Sequence, residues 1–500
     1  MKKTLAMATA MLTAGAFLGL QNVPKGSAYI NTADSAAEVV AGQGDMSSNQ
    51  PNQGGSVSGS TENSPCRGFI NGTKFFVADT SNHRVLIYNS IPTSNNAVAD
   101  VVVGQADMAH NSINQGGAVA ANTLRYPVDV FTDGTKLIIS DYGNNRVLIY
   151  NTIPTANNAS ADVVVGQADM AHNSADQGGD ASASTLDDPY GIYYNGSKLF
   201  VSDLGNNRVL VYNSLPTSNN ASANVVIGQG NMAGESANKG GSASESSLYN
   251  PIGVWADNDK LFVGDFKNNR VLIYNSVPTS NNASANVVVG QGNMTDTSAN
   301  QGGSASATTL NNPHGVFVYD SKLYVGDYEN NRVLVYNAVP TSNNTSADRV
   351  IGQADMTSTA VNRGGAAGAI TLNKPYGVFA NATKLVIADR ENNRALIYDN
   401  QDATASPLTL NYSSKKSKSK NVTFNFYGFS AAKSKKKYYT VKIGGKSMKV
   451  KSAKIYPDRV KVKVKYKYGK KERSSYDVYI KYKQGSTTTT RTVENLITIQ

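Results

Sequence analysis

The sequence predicts an all-β protein: a six-bladed β-propeller of 62-residue repeats, closed by an N-terminal strand and followed by a basic β-sandwich. Three observations carry this. An arginine recurs at Arg84, Arg146, Arg208, Arg270, Arg332 and Arg394, every step 62 residues. It sits in a unit that repeats almost unchanged, Asp141-Tyr142-Gly143-Asn144-Asn145-Arg146-Val147-Leu148-Ile149-Tyr150-Asn151. A Gly-Gln pair keeps the same step from Gly42-Gln43 to Gly352-Gln353, and a proline keeps it from Pro65 to Pro375, with no insertion or deletion between copies. A fixed period of this length marks a stacked or closed repeat architecture.

One repeat shows the elements. Pro189-Tyr190-Gly191-Ile192-Tyr193-Tyr194 is a short apolar and aromatic run, the inner strand. Asn195-Gly196-Ser197 is a turn signal, and Lys198 to Ser202 is a second strand. Asp203-Leu204-Gly205-Asn206-Asn207 is a turn, because Asp, Gly and Asn tolerate the backbone angles that turns require. Arg208-Val209-Leu210-Val211-Tyr212 is a third strand. After a polar loop, Asn224-Val225-Val226-Ile227-Gly228 is a fourth. No segment has a helical period, and four strands on short turns make one blade. The polar stretch from Gln229 to Pro251 then crosses to the centre of the next blade.

The ends of the array predict how the ring closes. Glu38-Val39-Val40-Ala41-Gly42 is an outer strand with no blade before it, and Arg394 to Tyr398 is a third strand with no outer strand after it. The first strand therefore completes the sixth blade and hides two sheet edges.

Outside the array the chain reads differently. Residues 1–28 have the pattern of a signal peptide: Lys2 and Lys3, an uncharged apolar run from Leu5 to Leu20, then Gly26-Ser27-Ala28. That run is 16 residues, short of the ~20 a membrane span needs. The expected location is outside the cell or at its surface, with no transmembrane segment in the mature chain. Cys66 is the one cysteine, so no internal disulfide forms and stability must come from packing. The net charge of +11 conceals two opposite parts. Residues 406–500 carry 24 Lys+Arg against 4 Asp+Glu, a charge of +20; the rest carries 23 against 32, a charge of −9. Boundaries are expected at 29–405 for the propeller and 406–500 for the basic domain.

The run Pro-x-Gly-Val, then Lys-Leu-x-Val-x-Asp-x-x-Asn-Asn-Arg-Val-Leu-x-Tyr-Asn, resembles the NHL repeat. The preceding Val-Val-x-Gly-Gln-x-(Asp/Asn)-Met resembles the extended form found in exported bacterial NHL proteins. The resemblance spans Glu38 to about Asn400, in all six copies. It implies a six-bladed propeller and little about activity: NHL-like propellers include protein-binding and RNA-binding modules, extracellular sensor domains and a few metal-dependent enzymes.

Residues that repeat in every blade are read as structural. The Asp–Arg pair, such as Asp141 with Arg146, flanks the turn between strands two and three, where the carboxylate accepts turn amides and the arginine pairs with it. Phe69, Phe131, Tyr193, Trp255, Phe317 and Phe379 hold one inner-strand position and pack blade against blade.

Residues that differ between blades are the candidates for function. The position after the inner proline reads Cys66, Val128, Tyr190, Ile252, His314 and Tyr376; the next reads Arg67, Asp129, then glycine four times. Cys66, Arg67, Asp129, Tyr190, His314 and Tyr376 are therefore expected around the channel mouth as a binding site. The connections add His110, His172 and Arg363 on the face of the Asp-x-x-Asn-Asn-Arg turns. NHL-like lyases that use zinc need several histidines at the channel; here only His314 is well placed, with Cys66 as a second ligand, and zinc needs three or four. No catalytic residue, metal site or cofactor is expected. An acidic, exported propeller also argues against nucleic acid.

The basic region alternates strictly through Arg459-Val460-Lys461-Val462-Lys463-Val464-Lys465-Tyr466-Lys467-Tyr468. Lys461, Lys463, Lys465 and Lys467 are expected on one side of one strand, about 6–7 Å apart, as a polyanion-binding row. About seven short strands, separated by turn signals such as Gly444-Gly445 and Pro457-Asp458, suit an immunoglobulin-like sandwich, the alternative being a partly ordered, edge-to-edge β module. Tyr439-Thr440-Val441-Lys442-Ile443-Gly444-Gly445-Lys446-Ser447-Met448-Lys449-Val450 resembles a TIG-type immunoglobulin-like domain, without a cysteine pair or core tryptophan.

The expected function is non-enzymatic binding or scaffolding by a monomer. The propeller face engages a protein, peptide or glycan, and the basic domain attaches to envelope or extracellular polyanions. The alternative is a secreted metal-dependent lyase or hydrolase with its site at the channel.

Overall fold

The computed structural model describes residues 36–257 and 259–399, and in the basic region residues 408–410, 418–427, 437, 439–443, 446–455, 459–468, 475–484 and 487–499. The signal-peptide segment lies outside them. The chain divides into two compact units.

The first unit is a six-bladed propeller. Its blades are six four-stranded antiparallel sheets in simple up-and-down order. The third blade runs Pro189–Tyr194, Leu199–Asp203, Arg208–Tyr212 and Val225–Ile227. The second strand begins one residue later than the sequence pattern suggests, and the outer strand is the shortest, with three residues. Every residue of Arg208–Tyr212 is buried, because blades stack on both faces of each sheet. That is why this strand reads as a continuous apolar run.

The sixth blade is composite. Val39–Ala41 pairs antiparallel with Arg394–Asp399, in the register Val39 with Ile397 and Ala41 with Ala395. The first strand thus supplies the missing outer edge of the last blade, as the sequence ends predict. All three of its residues are buried.

The arginine that marks the repeat is the hub of each blade. Arg146 is fully buried. Its Nε donates to Asp141 Oδ2 at 2.8 Å, Nη1 to the Met170 carbonyl, and Nη2 to the carbonyls of Ala120 and Thr123. One side chain therefore ties the turn to two parts of the long connection. Its charge is tolerable in the interior because it is paired and its donors are used. The six Asp–Arg pairs all have fully buried side chains. They are framework, not a ring of carboxylates open to cations.

The two asparagines of the motif have separate duties. Asn144 exchanges side-chain hydrogen bonds with Asn114 and donates to Asp141. Asn145 has a left-handed backbone, φ 51°, a conformation asparagine tolerates, and its Oδ1 accepts the Asp188 amide of the next blade. In the first blade His83 takes this place, and its Nδ1 accepts the Tyr126 amide at 3.1 Å.

The inner-strand aromatics form a closed ring. Phe69, Phe131, Tyr193, Trp255, Phe317 and Phe379 each contact the next, with centroids 3.9–5.4 Å apart, and Phe379 returns to Phe69 at 4.7 Å. Each ring packs on its neighbour in the adjacent blade, as expected, and together they encircle the central axis.

The second unit contains seven described strands: Leu408–Leu410, Lys418–Tyr427, Tyr439–Ile443, Lys446–Ile455, Arg459–Tyr468, Ser475–Gln484 and Thr487–Ile499. They join in one continuous hydrogen-bonded order. Lys446–Ile455 changes partner along its length. Its start pairs with Tyr439–Ile443 and its remainder with Arg459–Tyr468, with a register shift between Val450 and Ser452. No helix among the described residues is long and apolar enough to cross a membrane.

Candidate functional site

The six residues predicted for the channel mouth do come together. Cys66, Arg67, Asp129, Tyr190, His314 and Tyr376 line one cavity, with Val128, Ile252 and four glycines. The cavity is small, about 30 Å³.

Glycine explains how the ring of inner strands is drawn in. A Cβ on Gly191 would stand 2.2 Å from the Ile252 carbonyl oxygen, and one on Gly315 2.3 Å from that of Tyr376. Gly377 donates its amide to the Cys66 carbonyl at 2.9 Å. Where glycine gives way to Arg67 and Asp129, the side chains fill the space themselves. Arg67 Nε lies 3.4 Å from Asp129 Oδ1, an ion-pair contact rather than a well-formed hydrogen bond. Asp129 also accepts the amides of Val130 and Ile192, at 2.8 and 2.9 Å. This pair is buried and largely occupied with itself. Burial pushes the Asp129 carboxyl above its usual range, with Arg67 and the two amides acting the other way.

The remaining four differ in character. Cys66 Sγ is 3.9 Å from the Tyr190 hydroxyl. Tyr190 and Tyr376 are linked through their hydroxyls, and burial pushes both phenols well up. His314 is 3 % exposed, and neither of its ring nitrogens has a hydrogen-bond partner. Its ring lies against Tyr376 at 4.0 Å, Tyr328 at 4.3 Å and Phe266 at 4.7 Å. Burial holds its pKa well below the ordinary value, helped by Arg390, Lys267 and Lys374, so the ring is neutral at physiological pH.

These three cations were not among the residues picked from the sequence. Each stacks on an aromatic ring of the same quadrant: Lys267 over Phe266 at 4.5 Å, Lys374 over Tyr328 at 5.0 Å and Arg390 over Tyr376 at 4.8 Å. Phe266, Tyr328 and Arg390 occupy the first place after the turn aspartate, where other blades have Thr80, Tyr142 and Leu204. That variation was the available signal.

His110 and His172 stand on the rim, each paired with an aspartate three residues before it and mostly exposed. Among the described residues no three His, Cys, Asp or Glu side chains are grouped to hold a metal ion. In the basic unit, Lys461, Lys463, Lys465 and Lys467 fall on Arg459–Tyr468, an inner strand paired on both edges. Its register sets Lys461 opposite Lys454 and Lys465 opposite Lys449, and Lys463 is exposed.

The fold and the channel geometry define a six-bladed β-propeller built from 62-residue repeats. No family model matches the chain. No curated protein matches it either. Among solved structures it is similar to a chain of a nidogen/laminin complex, at 14 % identity, covering 66 % of this chain and 89 % of that one, with a TM-score of 0.33. It is also similar to apo AztD from Citrobacter koseri, at 10 % identity, covering 67 % and 83 %, with a TM-score of 0.35.

Proposed function

We propose that this chain is an exported, non-enzymatic binding protein of NHL type. The channel face of its propeller (residues 29–405) engages a protein or peptide, and its basic domain (residues 406–500) attaches to anionic polymers outside the cell. One observation carries the first part. The blades are near-identical in framework, yet at the two places after the inner proline they differ, and those residues gather at one channel mouth. A framework requirement produces the same residue six times; a site that meets one ligand off-axis does not. The charge contrast between the two regions supports the second part.

The test is capture of partners by the full chain from peptide and glycan libraries. Tyr190→Ala and Tyr376→Ala are expected to remove the captured ligand, while Thr217→Ala, in an exposed loop of the opposite face, leaves it. Capture unaffected by both tyrosine changes would place binding elsewhere.

A further inference from the structure

The channel mouth is not electrically even. The quadrant made by blades four to six holds Lys267, Lys374 and Arg390 around buried His314. Two of the cations are steadied by acids: Arg390 by Glu391 at 2.6 Å and Lys374 by Glu329 at 3.3 Å. The Arg390 Nε nevertheless has no partner, nor has either nitrogen of His314. The one carboxylate that lines the cavity, Asp129, is engaged by Arg67 and two backbone amides. A buried polar atom without a partner costs free energy, and neutral His314 leaves one N–H donor and one acceptor nitrogen unmet. The quadrant thus sets three cations against two acids and keeps two donors, the Arg390 Nε and the His314 N–H, without a partner.

Lys374 adds a backbone observation. Its φ is 53°, in the left-handed region. The same place has positive φ in every blade, held in the other five by Ser64, Tyr126, Asp188, Asn250 and Asn312. The conformation is therefore part of the framework, and it fixes where the Lys374 side chain leaves the backbone.

We propose that this cavity takes a single carboxylate on a slender stem, the acidic side chain or the chain terminus of a peptide. This rests on the binding reading above and names the chemistry of that same site. Charge sets the group: an anion in the cavity accepts from the His314 N–H and lies in the field of Arg390, which stacks on the cavity-lining Tyr376 at 4.8 Å. Size sets the stem. A cavity this small favours a carboxylate on a slender stem over a sugar ring, and a uronate carboxylate sits one bond from its ring. An acidic side chain carries its carboxylate on methylenes and reaches in while the peptide stays on the rim. Tyr249, 38 % exposed, and Tyr126, 36 % exposed, stand among the variable residues before the inner prolines, and offer that backbone an apolar rest.

The chain's one tryptophan, Trp255, lies two residues from the cavity-lining Gly253, so its emission follows melting of the propeller alone. The full chain is melted with C-terminally amidated hexaglutamate, with hexaglutamine bearing a free C-terminus, with amidated hexaglutamine and with polygalacturonate. A ligand that binds the native propeller raises the midpoint. Hexaglutamate or the free-terminus peptide is expected to raise it, the responder identifying side chain or terminus, and amidated hexaglutamine is not. Arg390→Gln with Lys374→Gln is expected to weaken binding at least tenfold and abolish the shift. Lys267→Gln alone, the milder change, is expected to reduce it. Equal shifts in wild type and variants, a shift with amidated hexaglutamine, a shift with polygalacturonate alone, or no shift at millimolar peptide each overturn the proposal. If the tyrosine changes remove library capture while no carboxylate peptide shifts the melt, the binding face stands and the carboxylate assignment falls.

Discussion

Gln43 donates its side-chain amide to the carbonyl of Asn393 at 2.8 Å, across 350 residues of sequence. The equivalent bond inside a blade, Gln105 to the carbonyl of His83, spans 22 residues. The same local bond therefore serves as the clasp of the ring when the first strand joins the last blade. Arg394 extends the clasp by donating to the Met46 carbonyl.

Removal of residues 29–46 is accordingly expected to open the ring. It exposes the edge of Arg394–Asp399 and leaves that strand's buried side chains uncovered. Aggregation, or a fall of about 10 °C or more in the propeller midpoint, is the expected outcome. A monomeric variant with unchanged melting by light scattering and calorimetry would contradict the closure.

Asn219 offers a second prediction, at a position the sequence pattern misleads about. The loop after the third strand reads as mere polar connection. In the structure Asn219 Oδ1 accepts the amide of Val164, in the outer strand of the preceding blade, at 3.0 Å. Asn95, Asn157, Asn281 and Asn343 do the same for Val40, Val102, Val226 and Val288. Each is a staple between blades. Asn219→Ala leaves a part-buried amide without its acceptor and is expected to lower stability by about 1–2 kcal/mol, measured by denaturant melting. Asn219→Asp keeps the acceptor and is expected to lose less.

These cases show what was legible and what was not. Strand boundaries such as Arg208–Tyr212 and Pro189–Tyr194 follow from the apolar runs, because burial on both faces writes itself into the residue types. The six channel residues were legible because they break the repeat at two adjacent inner-strand places. Asn219 was not, since its partner lies 55 residues back and periodicity does not reveal pairing across blades. Arg390 and Phe266 were hidden in the variable places of a turn whose neighbours are fixed. Arg67 and Asp129 were legible as neighbours but not as a mutual ion pair, which empties them of much of their expected role toward a ligand.

The basic domain gives a third prediction. The backbone register places Lys461 and Lys465 beside further lysines, Lys454 and Lys449, on the adjoining strand. Close like charges repel unless an anion compensates them. Binding of the full chain to a linear polyanion such as polyphosphate is expected to fall steeply with salt, as counterions are released. Changing Lys461, Lys463, Lys465 and Lys467 to Gln is expected to flatten that dependence, reducing the log–log slope by about 2–4. A slope unchanged by the fourfold substitution would assign the attachment to other residues.

Glu62 provides the last. Five blades place a leucine at its position, Leu124, Leu186, Leu248, Leu310 and Leu372, each fully buried. Glu62 is equally buried, and neither carboxyl oxygen has a hydrogen-bond partner. It occupies the nook over Gly42 that Leu124 occupies over Gly104, so the anomaly lies where the first strand closes the ring. Burial raises its pKa well above the usual carboxylate range, and Asp79 adds to this; Arg84 and the nearby Ala395 amide oppose it without prevailing. Tyr88, also fully buried, responds to the same carboxyl. The folded state therefore holds Glu62 protonated. Below the unfolded value of about 4.5 both states are protonated and this proton carries no penalty. As pH rises from there toward the folded value, the unfolded chain releases its proton first, and stability is lost progressively. Glu62→Leu restores the pattern of the other blades. It is expected to raise stability by about 1–3 kcal/mol at pH 5 through removal of an unsatisfied buried group, and by more at pH 8. Thermal melting of both proteins across this range measures the gap between them. A gap that stays constant or narrows with pH would mean that Glu62 is ionised or solvated in the folded ring.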